Sequence, residues 1–451
     1  MFRKILIANR GEIAVRITRT CHEMGIRVVA VFSEPDRQSL HVRLADEAIC
    51  IGSAAATDSY LNMDRILNAA LVTKAEAIHP GFGFLSENAE FAKRCQELGL
   101  VFIGPTPDLI CKMGNKSEAK ETMRQAGVPV ILGSTEPVYE AETARGQASQ
   151  IGYPLMIKAA FGGGGKGMRI AWNEEEFVSL FHLAQQEAVK SFGDPAMYLE
   201  KYIQAPRHVE VQIAADSQHR VICLGERDCS VQRRHQKMIE ESPCVALSSQ
   251  TREEIQQAAV RAAKAVGYES VGTIEFLYSQ SGEFYFMEMN TRIQVEHPVS
   301  EMVTGIDLIR EQIRVAAGYP LSKTQEEICF QGHALECRIN AEDPQRDFQP
   351  SPGTLQYLHV PGGKGIRIDT AMESGCEILP YYDSMIIKII VQDEDRQRAI
   401  GKMRCALGEL EVQGVRTNKE FLQRILEEED FCGGEISTAY LSLHFQDKER
   451  A

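Results

Sequence analysis

A chain of 451 residues has room for roughly two to four domains and an ample core. At 44% hydrophobic and 25% charged it has the composition of an ordinary soluble protein, and its 49 basic against 63 acidic residues give a net charge of −14. That balance excludes a nucleic-acid partner found through bulk charge, so an anionic substrate must be held by a local basic cluster. Twelve cysteines lie scattered without a C-x-x-C pair, unlike a zinc site or a compact disulfide framework. Reduced thiols in a cytosolic-type compartment are expected, cytoplasm or plastid stroma. No apolar run approaches membrane length, and Met1-Phe-Arg-Lys-Ile-Leu-Ile-Ala-Asn9 is too short and polar-flanked for a signal peptide.

Lys4-Ile-Leu-Ile-Ala8 reads as a buried strand, Asn9-Arg-Gly11 as a turn and Glu12 to Met24 as a helix. Ile26 to Phe32 and Ala45 to Ile51 are further strands. Alternation of strand and helix continues to Val101-Phe-Ile-Gly-Pro105, the pattern of a parallel sheet covered by helices. The turn after the first strand has one glycine, not G-x-G-x-x-G, which disfavours a dehydrogenase. On the first helix Arg16, Arg19 and Glu23 form a charged stripe opposite Ile13, Ile17 and Cys21. The stripe is a solvated face by default and a subunit contact in the alternative. His79-Pro-Gly-Phe82-Gly-Phe-Leu-Ser86-Glu-Asn88 leads into a helix with Phe91, Cys95 and Leu98 at helical spacing. Its glycines around aromatics shape either a pocket wall or a tight turn.

Lys112-Met-Gly-Asn-Lys116-Ser precedes a short helix ending near Gly127-Val-Pro129, a domain boundary. From Pro154 to Ile170 the chain reads strand, glycine loop, strand. Gly162 to Gly165 let backbone N–H groups turn toward one anion, and Lys158 and Lys166 add positive charge. This is no Walker loop, because Gly167 follows Lys166 and a strand comes next. The segment is a flexible hairpin tip or a phosphate lid that opens for exchange and closes to exclude water. Tyr198-Leu-Glu200-Lys201-Tyr-Ile203 and Arg207-His208-Val-Glu210-Val-Gln212 are strand material. Arg227-Asp-Cys-Ser-Val-Gln232-Arg-Arg-His235-Gln-Lys237 is a solvated loop or a basic strand facing an anionic substrate. Thr251-Arg-Glu-Glu254 makes a capping box for a helix with Ile255, Ala259, Ala262 and Val266 inward, closed at Gly267.

The densest chemistry lies in Glu288-Met-Asn290-Thr-Arg292-Ile-Gln294-Val-Glu296-His297. Phe284-Tyr-Phe-Met leads into it as a strand, and Gly272-Thr-Ile-Glu275-Phe-Leu is the strand before, joined by Ser279-Gln-Ser-Gly282. If those four residues form the loop, Tyr278 faces Glu283, and Glu275 and Glu288 share a face. With Asn290 they then offer oxygen ligands to Mg²⁺ or Mn²⁺. An odd loop length puts the two acids on opposite faces. An edge hairpin with solvated charges is the bland alternative. Arg292, Gln294 and Glu296 immediately after the acids favour metal-assisted phosphoryl transfer. Beyond Gly305 a helix runs toward Ala317, and His333 to Asp343 opens a β-rich region with Pro350-Ser-Pro-Gly353 and Pro361-Gly-Gly363 as turns. Pro380 to Val391 is a strand and Glu394 to Leu410 a helix.

Five of these segments, in order across the whole chain, resemble biotin carboxylase: Ile7 to Ala14, His79 to Asn88, the glycine lid, Arg227 to Lys237, and Glu288 to His297. The resemblance implies an ATP-grasp fold of mixed α/β and α+β class. An N-terminal Rossmann-like domain would span 1–113, an ATP-grasp domain 114–330 with a lid over about 131–203, and a β-rich C-terminal domain 331–451. It implies carboxylation of biotin on a biotin carboxyl carrier protein, with ATP and bicarbonate and through carboxyphosphate. Lys116, Lys158, Gly164, Gly165, His208, Gln232 and His235 would contact ATP, and Glu200, Lys201 and Ile203 would line the adenine pocket. Glu275, Glu288 and Asn290 would hold two Mg²⁺ or Mn²⁺ ions, the two acids also meeting the nucleotide. Lys237, Arg292, Gln294, the Val295 backbone and Glu296 would bind bicarbonate, with Glu296 as base. Arg338 and Phe82 would meet biotin. Arg16, Arg19 and Glu23 match a stripe the family uses in a homodimer.

Two positions depart from the family pattern. Phe82 stands where Tyr is usual, which removes a hydroxyl and keeps the ring, and Phe161 replaces an expected lid glycine. No Ala-Met-Lys-Met-like biotin attachment site is present, so a separate carrier and carboxyltransferase are expected partners, with neither nucleic acid nor membrane. Acetyl-CoA is the expected final acceptor; another acyl-CoA or pyruvate is the alternative. The competing readings are a different ATP-grasp carboxylate–amine ligase, which need not carry Arg292-x-Gln294-x-Glu296, and a regulatory subunit without turnover.

Overall fold

Ile5, Leu6 and Ile7 form an unbroken apolar run, with no alternation of polar and apolar residues, and they are buried to 1% exposure or less. That is the signature of a strand covered on both faces. In the computed structural model, which describes residues 1–134, 136–159 and 167–445, they belong to a five-stranded parallel sheet. Its strands are β1 (Lys4–Ile7), β2 (Arg27–Ser33), β3 (Glu47–Gly52), β4 (Ala77–His79) and β5 (Val101–Phe102), in the order β3-β2-β1-β4-β5. Helix α1 (Gly11–Glu23) follows β1 and turns Ile13, Ile17 and Cys21 into the core. Its charged stripe is only partly solvated. Arg16 donates to Glu301 at 3.0 Å and Asp307 at 2.8 Å, Glu23 pairs with Arg310 at 3.0 Å, and Arg19 is exposed. The helix Ala89–Glu97 buries Phe91 and Cys95, whereas Leu98, expected inward, is exposed beyond its end.

The chain divides into two compact units. One comprises Met1–Val128, Arg207–Phe276 and Glu288–Ala451; the other comprises Pro129–Pro206 and Leu277–Met287. The second unit contains a small antiparallel sheet of β6 (Leu155–Ala159), β7 (Met168–Ala171) and β8 (Met197–Lys201), with β6 central. Ala144, Ala148, Phe177 and Phe181 from two helices pack against it. Gly164, Gly165 and Phe161 of the expected lid lie outside the described residues.

The first unit holds most of a larger, eight-stranded sheet. Its strands are β9 (Arg207–Ala215), β10 (Val221–Arg233), β11 (Gln236–Ser242), β12 (Ser270–Tyr278), β13 (Phe284–Asn290), β14 (His333–Asn340), β15 (Ile366–Thr370) and β16 (Met385–Asp393). The order is β13-β12-β9-β10-β11-β14-β16-β15. Arg234 and His235 both adopt positive φ, 50° and 66°, which closes β10 onto β11 in a two-residue turn. On the C-terminal side Leu335, Cys337, Ile387 and Ile389 pack beneath Ile400, Met403 and Leu407 of the helix Arg396–Glu409.

Two local expectations are corrected. The helix Ser249–Ala265 starts ahead of Thr251: Ser248 is the cap, accepting the Thr251 N–H at 3.1 Å, so Thr251 lies inside the first turn. The β12–β13 loop is shorter than supposed, because the Ser279 N–H donates to the Glu283 carbonyl at 2.8 Å. Three residues, Gln280, Ser281 and Gly282, then form the loop, with Gly282 at a positive φ of 88°.

Candidate active site

On β9, His208, Glu210 and Gln212 alternate with Val209 and Val211, so all three polar side chains point to one face. All three are buried. Next to them on β10 stands Arg227, fully buried, whose planar fork uses every edge. It donates to Glu210 (2.6 Å), Gln212 (2.6 Å), Ser300 (3.0 Å), Thr273 (3.1 Å) and Gln294 (2.7 Å). Arg227 is therefore a scaffold that fixes the acids around it. Of the four basic residues in the segment Arg227 to Lys237, Arg227 and Lys237 turn into the buried carboxylate cluster. Arg233 and Arg234 both bind Asp347 at the hairpin end.

Lys237 is the centre of the cluster. Its ammonium donates to Glu210 (2.5 Å), Glu296 (2.5 Å) and Glu275 (3.2 Å). Arg338 on β14 donates to the other oxygen of Glu296 at 2.8 Å and to Glu240 at 2.6 Å. Glu296 is thus a buried carboxylate clamped by one cation on each oxygen. Burial alone pushes its pKa up, but Lys237, Arg338 and Arg227 hold it well below the usual carboxylate range. Glu275 behaves alike: Lys237 and His208 outweigh burial and lower it. Burial works against Lys237 as well, and its three carboxylate neighbours raise it well above the ordinary lysine value. Glu240 has the opposite fate. Burial dominates over Arg338, with Glu296 adding repulsion, and its pKa rises to about 7.

Asn290 and Glu275 are side by side, the Asn290 amide donating to Glu275 at 2.9 Å. Gln294 donates to the same Glu275 oxygen at 2.7 Å. His208 Nε2 lies 3.0 Å from Glu275. Glu288 lies 3.5 Å from the ammonium of the exposed Lys116. Arg292 donates to Glu87 at 2.8 Å and to Asn290 at 3.0 Å. The Val295 carbonyl accepts from the buried Lys388 at 2.7 Å. Gln232 sits opposite Lys237 across the β10–β11 hairpin, and His235 is exposed at its turn. Phe82 is partly buried against the core of α1 and holds its carbonyl to Asn9 at 2.7 Å.

In the second unit Lys158 and Glu200 form an ion pair across β6 and β8. Lys201 donates to the carbonyls of Gly152 (3.2 Å) and Tyr153 (2.8 Å), and Ile203 is half-buried just after β8.

Residues that sequence reasoning left unassigned include Glu210, Arg227, Glu240, Glu87 and Lys388. The i, i+2, i+4 polar run on β9 was a usable signal, since such a face in a sheet core must be internally paired. Glu87 and Arg292 are far apart in sequence, and no local pattern joins them.

The family model "Biotin carboxylase, N-terminal domain" matches residues 1–110. "Carbamoyl-phosphate synthase L chain, ATP binding domain" matches 115–324, and "Biotin carboxylase C-terminal domain" matches 336–443. The chain is 54% identical to biotin carboxylase 1 of Bacillus subtilis over 98% of its own length and 99% of that protein. It is 56% identical to the biotin carboxylase of Nostoc sp., covering 98% of each. A solved structure of the Hydrogenobacter thermophilus 2-oxoglutarate carboxylase biotin carboxylase domain matches at 50% identity and TM-score 0.90, covering 98% of each chain. That structure is a dimer in complex with MgADP, ADP and bicarbonate.

Proposed function

The chain belongs to the biotin carboxylase family, and on that premise we propose that it carboxylates carrier-bound biotin with ATP and bicarbonate through carboxyphosphate. The observation that carries this reading is the clamp on Glu296, a carboxylate kept ionised between Lys237 and Arg338. A protein of net charge −14 needs such a place to receive an anion.

Bicarbonate is a poor nucleophile until it loses its proton. In this reading it enters beside Lys237, Arg292, Gln294 and the Val295 N–H. As it draws Lys237 and Arg338 toward its own charge, the two cations that depress Glu296 are shared. The basicity of Glu296 rises when a base is required, and Glu296 takes the proton as bicarbonate oxygen attacks the γ-phosphorus. Lys237 and Arg292 neutralise charge along that path, so the task is mainly positioning and electrostatics. Arg338, already aimed at the site, stabilises negative charge on the ureido oxygen of biotin, with Phe82 packing against its rings.

Lys116, His208, Gln232 and His235, and Lys158, Gly164, Gly165, Glu200, Lys201 and Ile203, are proposed to bind ATP. The carboxylates of Glu275 and Glu288 and the amide oxygen of Asn290, whose Nδ2 donates to Glu275, would offer oxygen ligands to hard divalent cations such as Mg²⁺ or Mn²⁺. Such cations, when bound, neutralise charge on the phosphates.

A carrier protein and a carboxyltransferase complete the proposed system, with acetyl-CoA as acceptor and malonyl-CoA for fatty acid synthesis as product. The relative from a 2-oxoglutarate carboxylase supports the alternative that another acceptor is served by the same first half-reaction. The dimeric relative and the exposed Arg19 support a homodimer. Twelve unpaired cysteines support a reducing compartment such as the cytoplasm, and among the described residues no helix is long and apolar enough to cross a membrane. ADP release by the purified protein with Mg²⁺ and ATP tests the reading. Turnover that requires bicarbonate and rises with free biotin supports it, and bicarbonate-independent turnover refutes it.

A further inference from the structure

Lys388 is a completely buried ammonium on β16 that none of the steps above uses. A buried lysine persists only where it is paired and hydrogen-bonded. Its Nζ donates to the Val295 carbonyl at 2.7 Å, stands 3.0 Å from Glu12 on α1, and lies 3.9 Å from Asp369 on β15. Arg338 and Lys388 are direct cross-strand partners on β14 and β16. Two like charges placed opposite each other oppose sheet pairing. This pair is nevertheless aimed at adjacent residues of one turn, Arg338 at the Glu296 side chain and Lys388 at the Val295 carbonyl.

The Gln294 and Glu296 side chains of that turn are held by Arg227, Glu275, Lys237 and Arg338, which leaves its backbone to be fixed. Glu296 is the N-cap of the helix His297–Thr304 and makes no side-chain cap bond. The Gln294 carbonyl accepts the His297 N–H at 3.3 Å and lies 2.7 Å from His297 Nδ1, and the Glu296 carbonyl accepts the Val299 N–H at 3.3 Å. Between them the Val295 carbonyl is directed to Lys388. Because each peptide is planar, fixing a carbonyl fixes the N–H on the other side of the same bond. The Gln294 carbonyl orients the Val295 N–H, and the Val295 carbonyl orients the backbone from which the Glu296 side chain departs.

We propose that Lys388 is a positioning residue of the bicarbonate subsite, holding the Val295–Glu296 peptide so that the Glu296 carboxylate reaches the same anion as the Val295 N–H, which the Gln294 carbonyl orients. The inference rests on the carboxylase reading above. A purely structural alternative is that Lys388 serves only to neutralise Glu12.

The two are separated by steady-state kinetics of bicarbonate-dependent ATP turnover in the full chain, comparing Glu12→Gln with the double variant Lys388→Met/Glu12→Gln. The double variant removes the carbonyl anchor without leaving an orphaned buried charge. Its KM for bicarbonate should rise by about tenfold or more, with its KM for ATP and its thermal midpoint near those of Glu12→Gln. Glu12→Gln alone keeps the anchor and should stay within about threefold of the unmodified chain in KM for bicarbonate. An unchanged bicarbonate KM in the double variant overturns the proposal, as does a parallel loss for ATP and bicarbonate. Should the double variant not fold, Glu12→Gln still decides, because a tenfold bicarbonate defect there assigns the effect to the ion pair. Absence of bicarbonate-dependent turnover in the unmodified chain instead removes the carboxylase reading, and this inference with it.

Discussion

The ammonium of Lys237 donates to Glu296 Oε1 at 2.5 Å, and both groups are almost wholly buried. A pair so placed is stable only while both charges are present, and removing one leaves the other stranded. The same pairing keeps Glu296, the proposed base, ionised and weakly basic, and on that proposal an anion competing for the cation restores its basicity.

Replacing Glu296 by Gln keeps the shape and removes the proton acceptor. Bicarbonate-dependent ADP release should fall by about 10² to 10⁴-fold. Nucleotide affinity, read by fluorescence titration, should stay close to that of the unmodified chain. Near-normal turnover would reject the role of Glu296 as base.

The pH profile follows from the same clamp. In the free protein Glu296 is held well below its ordinary carboxylate value. After allowance for protonation of bicarbonate itself, kcat/KM for bicarbonate should show no acid limb from Glu296 above about pH 5. A limb near neutrality that persists in a Glu240→Gln variant would mean that the cations do not grip Glu296 in solution.

Neighbouring Glu240 and Glu241 titrate in opposite directions. Burial opposes ionisation of Glu241, but His333 and Arg396 hold it down at about 2, from an ordinary 4.5. Its stabilisation is therefore present above pH 4.5 and lost as pH falls toward 2. Glu241→Gln should cost about 3 kcal/mol in urea unfolding at pH 7, and the difference should shrink as the solution is acidified. Glu240 is raised to about 7, so its folded form is favoured below pH 4.5 and that advantage fades as pH rises through 7. A Glu240→Gln variant should lack that drift, giving the two variants stability differences of opposite pH slope.

Arg227 tests the scaffold. Lysine keeps the charge but cannot serve Glu210, Gln212, Thr273, Ser300 and Gln294 at once. Arg227→Lys should lower unfolding stability by about 3 kcal/mol. It should also weaken bicarbonate use, since Gln294 and the Glu210 partner of Lys237 lose their common anchor. Wild-type stability would show that the fork is redundant.

Much of the fold was legible because it rests on local patterns. The apolar runs at Lys4–Ile7 and Arg27–Ser33 and the stripe of Ile13, Ile17 and Cys21 have one structural outcome in an α/β unit. The β12–β13 register was not legible, because Ser279-Gln-Ser-Gly282 closes as a three- or a four-residue loop on turn chemistry alone. In the site, residue types announced their chemistry but not their partners. Arg227 looked like a substrate-facing base and is a buried strut, while Glu87 meets Arg292 across 205 positions. Long-range pairing of charges is set by the sheet order, which no local segment encodes.

Transfer of isotope-labelled bicarbonate carbon to free biotin, measured together with ADP release, addresses the central claim most directly. The account predicts labelled carboxybiotin formed only with ATP and Mg²⁺ present, and lost with Glu296→Gln. Bicarbonate-stimulated ATP turnover with no label reaching biotin or a supplied biotinylated carrier would contradict it and assign the clamp to another acceptor.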